Sequence, residues 1–182
     1  MSEFPPEATL RRVLALSVMD GWCMSLFSGF CTLVSLLVAE WSGAVVGALV
    51  VFCGLTTLRN RRRLLQGEAS GMTGLLRAQL MVILVVFVFV LENLLAFDPV
   101  AMNQKLISLE SSSAIGGQLV NLLFACGLSV ADLHPFLKPV YFGFYLIVMG
   151  GTLVFQGGLA LYYLTRRAQV TEELAARVDQ SV

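Results

Sequence analysis

Charge is scarce in this chain. Lysine, arginine, aspartate and glutamate make up 13% of 182 residues, twelve of each sign, leaving no net charge. A soluble domain carries about a quarter charged residues. No basic excess exists to hold a polyanion, and the one arginine cluster has no interleaved aromatics, which argues against nucleic acid as a partner. Cysteine pairs are missing too. The four cysteines stand at 23, 31, 53 and 126 with no CxxC spacing, so neither a disulfide framework nor a zinc site is indicated. Three of them lie in apolar runs, where cysteine behaves as a small hydrophobe. The single histidine, His134, has Asp132 nearby, but two potential ligands without a third do not make a metal centre. GxSxG, HExxH, P-loop and dinucleotide fingerprints are all absent, and no nucleophile–base pair serves an intramembrane protease or acyltransferase. An enzyme is the least supported class, and no cofactor is implied.

What is present is long apolar runs. Hydrophobic residues make up 57% of the chain and the mean hydropathy is +0.81, values of a membrane protein. The organising stretch is 13–38, long enough to cross a bilayer. Small and hydroxyl residues recur along one side of it at helical spacing: Ser17, Gly21, Ser25, Ser28, Thr32 and Ser35, with Asp20 beside them. A span facing only lipid has no use for such a stripe, so it faces other helices or water. Hydroxyls in a stripe can line a narrow wet pathway, or bond to their own i−4 carbonyls while letting helices pack closely.

The remaining chain divides around this span. Residues 1–12 form a short polar segment, with Thr9 as a cap for a helix running through Arg11 and Arg12. The first span is too long for a signal-peptide core and is expected to be a retained signal anchor. A break at 39–42 is short enough to return the second span, 42–58, antiparallel against the first, with Trp41 as an interfacial anchor. In that second span Gly43, Gly47 and Gly54 supply close-packing positions against the stripe. Arg59, Arg61, Arg62 and Arg63 follow in a 59–73 loop, placed to meet lipid headgroups, with Gly67 or Gly71 ending the helix. The third span, 74–97, is large and apolar all round until Glu92 and Asn93. The connection 98–138 reads as short amphipathic helices, the first capped by Asp98 ahead of Pro99. The fourth span, 139–165, carries Gly143, Gly150 and Gly157 at heptad period, a seam for another helix. The tail 166–182 reads as a helical extension that frays. The first and third spans differ too much for an inverted duplication.

On this map ten arginines fall on one side of the membrane and only Lys105 and Lys138 on the other. The positive-inside rule then puts both termini and the 59–73 loop in the cytoplasm and 98–138 outside. The expected fold is an all-α integral membrane protein of four transmembrane helices, N-in and C-in, in a bacterial inner membrane.

Asp20 lies about 12 Å along the helix from Arg12. It is either a proton or cation site beside the stripe, or a carboxyl held near the inner interface by Arg77, Gln79 or water. Glu92 either lines an outer vestibule or pairs with Lys138, Tyr141 or Tyr145. Gln156 is expected to make an interhelical hydrogen bond. The glycine seams exceed what one four-helix bundle needs, which points to a homo-oligomer. The leading expectation is a small oligomeric channel or transport protein with its pathway along the first span. The alternative is a non-transporting scaffold or accessory subunit that binds lipid and a partner membrane protein.

Overall fold

The computed structural model describes residues 6–37, 39–101, 104 and 130–179, without the side chains of 6, 130–134, 137 and 177–179. Among the described residues there is no strand. Four long helices, α1 (Pro6–Leu37), α2 (Trp41–Leu65), α3 (Ser70–Leu95) and α4 (Val130–Asp179), carry the fold. Each is long and apolar enough to cross a membrane. The distribution of side chains is inverted relative to a water-soluble protein. Phe27, Phe30, Leu37, Phe52, Ile147 and Val154 are exposed, whereas Asp20, Gln79, Gln156, Asn60, Thr57 and Ser17 are buried. With hydrocarbon as the surrounding solvent, large apolar groups lose nothing outside and polar groups must find partners inside.

The chain forms two compact units, Met1–Phe89 with Gly151–Val182, and Val90–Gly150. In the first unit, α1 begins at Pro6 rather than at a Thr9 cap. Proline suits a first turn because its missing N–H has no intrahelical partner to lose there. Glu7 in that turn complements the helix dipole and accepts from Arg11 Nη2 at 3.0 Å. Thr9 is therefore inside the helix and buried.

Two helix ends in this unit close in the same way. At the end of α1, Glu40 N donates to Ser35 O at 2.8 Å and Ala39 N to Leu36 O at 3.2 Å, with Ala39 at φ 56°. At the end of α2, Glu68 N donates to Arg63 O at 3.0 Å and Gly67 N to Leu64 O at 3.1 Å, with Gly67 at φ 86°. Both are Schellman turns, in which a left-handed residue lets the chain satisfy the last carbonyls.

The first of these turns folds α2 back along α1. A Cβ at Gly43 would lie 2.7 Å from Ser35 Oγ, and one at Gly54 would lie 2.5 Å from Ser25 Oγ and 2.9 Å from Gly21 O. A Cβ at Gly47 would run into Thr32 Oγ1. These contacts run in opposite directions along the two helices, so the pair is antiparallel. The second turn brings α3 back on α2, where a Cβ at Gly74 would overlap the Asn60 amide.

Two apolar layers flank a polar one in this unit. Leu10, Val13, Leu64, Met72, Leu75, Tyr163, Val170 and Leu174 form one; Met24, Val50, Cys53 and Val82 form the other. Asp20 and Gln79 lie between them in sequence order along α1 and α3. The tail beyond 166 continues as ordered helix instead of fraying, because Val170 and Leu174, one turn apart, are buried in the first layer beside Leu10 and Val13.

In the second unit, α4 begins at Val130, nine residues before the expected start, and takes Pro135 and Pro139 into its length. Asp98 Oδ1 accepts from Val100 N at 2.8 Å, and residues 99–101 are helical. The amphipathic pieces expected further along 98–138, with Lys105 and Cys126, lie outside the described residues, as do the side chains of Asp132 and His134.

Candidate functional site

Three helices of the first unit converge on Asp20. From α3, Gln79 Nε2 donates to its Oδ2 at 2.6 Å. From α4, Gln156 Nε2 donates to its Oδ1 at 3.3 Å. The carboxyl is 2% exposed and Gln79 is fully buried. Helical spacing explains the convergence. Asp20 follows Val13 and Ser17 on the buried face of α1, and Gln79 sits one turn past Leu75 on α3. Gln156 lies two turns before Tyr163 on α4.

Three polar atoms near this site, Gln79 Oε1, Gln156 Oε1 and Tyr163 Oη, are buried and have no hydrogen-bond partner among the described residues. Each amide oxygen belongs to the same group whose nitrogen holds Asp20, so both stand beside the carboxyl. Tyr163, about 10 Å further along α4, adds a hydroxyl that can donate as well as accept. No ion pair reaches Asp20 among the described residues. Arg77, two residues from Gln79, is exposed on another face of α3. A carboxylate and carbonyl oxygens together form a hard, all-oxygen donor set, suited to a proton or a small hard cation.

The stripe of α1 is placed against α2. Ser25 Oγ donates to Gly21 O at 2.7 Å, Thr32 Oγ1 to Ser28 O at 2.7 Å and Ser17 Oγ to Leu14 O at 3.0 Å. Ser28 and Ser35 lie under Gly47 and Gly43. In this conformation the hydroxyls of Ser17, Ser25 and Thr32 are committed to their own helix.

The arginines expected in a 59–73 loop lie in the last turns of α2, which continues through them to Leu65, and they do different things. Arg61 Nε donates to Leu14 O of α1 at 3.4 Å, and Arg63 stands 4.0 Å from Glu68. Arg59 and Arg62 are exposed. On α4, a Cβ at Gly143, Gly150 or Gly157 would meet nothing within 4 Å among the described residues.

In the second unit the tyrosines go to Asn93 and not to Glu92. Tyr145 Oη donates to Asn93 Oδ1 at 3.0 Å and Tyr141 Oη to Asn93 O at 3.2 Å. Lys138 Nζ lies 5.8 Å from the centre of the Phe142 ring. The Phe97 and Tyr141 rings lie 4.8 Å apart, tilted by 44°. Glu92 is exposed and has no ion pair among the described residues.

Tyr163 and Asn60 carry no conspicuous sequence signal. The heptad step from Gln156 to Tyr163 was the one trace of the first. Asn60 was hidden inside the arginine cluster. Comparison with known protein families, curated proteins and solved structures finds no match for this chain.

Proposed function

We propose that this chain is a small oligomeric transport protein of a bacterial inner membrane, with both termini cytoplasmic, in which Asp20 holds the proton or monovalent cation being moved. One observation carries this: a buried carboxyl receives two amide donors, and the carbonyls of those same amides lack donors of their own. An ionised carboxylate in a low-dielectric interior needs a compensating positive charge. A proton on Asp20 supplies it and can be donated to one of the amide oxygens, while a cation held by the carboxylate can be coordinated by both. The open glycine positions of α4 support self-association, since small residues let helices of two copies approach closely.

Flux across liposomes reconstituted with the full chain tests this. Asp20→Asn keeps the shape and removes the charge, so conductance or its pH dependence between about pH 5 and 8 changes. Unchanged flux over that range would remove Asp20 from the pathway. A single defined oligomer in a lipid nanodisc is expected, because four spans of this length enclose no conduit alone.

A second reading is favoured by the stripe. Among the described residues its bonded hydroxyls and the α2 glycines packed on them leave no open polar conduit along α1, as expected of a scaffold or accessory subunit. Copurification of a stoichiometric second membrane protein distinguishes it from a transporter that assembles only with itself.

A further inference from the structure

An open groove of about 270 Å³ runs between α2 and α3 in the first unit. Phe52 and Thr56 line it from α2, Ala78 and Met81 from α3, and its walls are almost wholly apolar. From Phe52 to Arg63 it follows α2 for about 16 Å, close to the depth of one leaflet of a ~30 Å hydrocarbon core. Its charge is confined to two side chains of one sign, Arg63 and Arg77.

Arg77 is the unusual member. It lies about 10 Å along α3 from Ser70, on a helix that is apolar from Leu80 to Leu91. It is exposed, and no hydrogen bond or ion pair engages it among the described residues. A guanidinium so placed beside hydrocarbon is costly unless it snorkels to the interface or meets an anion. Arg63 offers the same from the other helix, its Glu68 contact being 4.0 Å long and exposed. A guanidinium pair suits phosphate oxygens, which accept its forked donors.

We infer that this groove seats one acyl chain of an anionic phospholipid, with the headgroup phosphate held between Arg63 and Arg77. The occupant is a lipid because the groove joins a leaflet-deep apolar wall to two cations, Arg63 at its end and Arg77 about one turn beyond the Gly74–Asn60 contact, from where its flexible stem can reach the same interface. Arg59 and Arg62 do not line this groove, and they only attract the anionic surface as a whole. The site is independent of Asp20.

The test uses the full chain in nanodiscs of equimolar phosphatidylglycerol and phosphatidylcholine, followed by native mass spectrometry of the released protein. Wild type retains one phosphatidylglycerol. In R63Q/R77Q retention falls about 30-fold, each arginine near an anionic headgroup being worth about fivefold. M81W fills the groove without changing charge and loses retention as well, whereas R59Q/R62Q keeps it. These positions are exposed, so the variants are expected to fold; helical content checks each, and M81F replaces M81W should that one fail. Equal retention of the two lipids by wild type overturns the inference. So does an equal loss in R59Q/R62Q, which means diffuse attraction. Full retention in the groove-filling variant means that no chain lies there.

Discussion

Gly54→Ala is the sharpest perturbation of the α1–α2 pair. Its new methyl would stand 2.5 Å from Ser25 Oγ, 2.9 Å from Gly21 O and 3.1 Å from Ser25 N. The serine oxygen can rotate away, at the loss of its 2.7 Å bond to Gly21 O. The other two atoms are backbone and move only if the helices separate. Overpacking a well-filled contact costs about 1–3 kcal/mol, and with two backbone obstacles the upper half of that range is expected, about 2–3 kcal/mol. Gly29→Ala is the internal control, because its nearest neighbour is Val51 Cγ2 at 3.8 Å, an ordinary contact that keeps the change within about 0.5 kcal/mol. Unfolding free energies measured by steric trapping in bicelles give both values. Adding Ser25→Ala to Gly54→Ala removes one obstacle of three and restores only part of the loss. If Gly54→Ala and Gly29→Ala destabilise equally, α1 and α2 do not meet at this distance and the register is wrong.

Other outcomes follow from the same contacts. Ala39→Gly is expected to stabilise by about 1 kcal/mol, because a non-glycine residue at φ 56° is strained. Gly67→Ala costs about as much at the equivalent turn, and thermal unfolding in a fixed detergent ranks the pair. Gln79→Leu removes the 2.6 Å donor to Asp20 and destabilises by about 1–2 kcal/mol. Asp20→Leu in the same molecule recovers part of that, and a double-mutant cycle reads the coupling; additive losses would mean that the two side chains do not interact.

Periodicity and composition made the four apolar helices legible, since both signals are local. The Schellman end of α2 was legible for the same reason, Gly67 being a residue type that marks a left-handed position. Ala39 was not, because nothing in an alanine announces a positive φ; the short connection imposed it. The early start of α4 was obscured by Pro135 and Pro139, which read as helix boundaries in sequence but are accommodated in the helix. The order of the tail depends on Val170 and Leu174 finding Leu10 and Val13, a contact between distant parts of the chain. Asp20 stood out as a charge inside a span, but the identity of its partners required three helices to be placed: of the two side chains expected, Arg77 and Gln79, only Gln79 holds it among the described residues, and Gln156, expected to bond across helices, had no partner named.

The two donors of Asp20 lie 59 and 136 residues further along the chain. At ~5–20 residues per second of synthesis, the second reaches the membrane roughly 7–27 s after Asp20 does. Until Gln79 follows, roughly 3–12 s after Asp20, α1 carries a carboxyl that neither donor caps, and until Gln156 arrives it has one donor of the two. Insertion of such a group near mid-bilayer costs about 2.5–3.5 kcal/mol. A chain that ends before α4 therefore holds its Asp20 carboxyl by the Gln79 amide alone, and the second oxygen stays without its donor until Gln156 arrives.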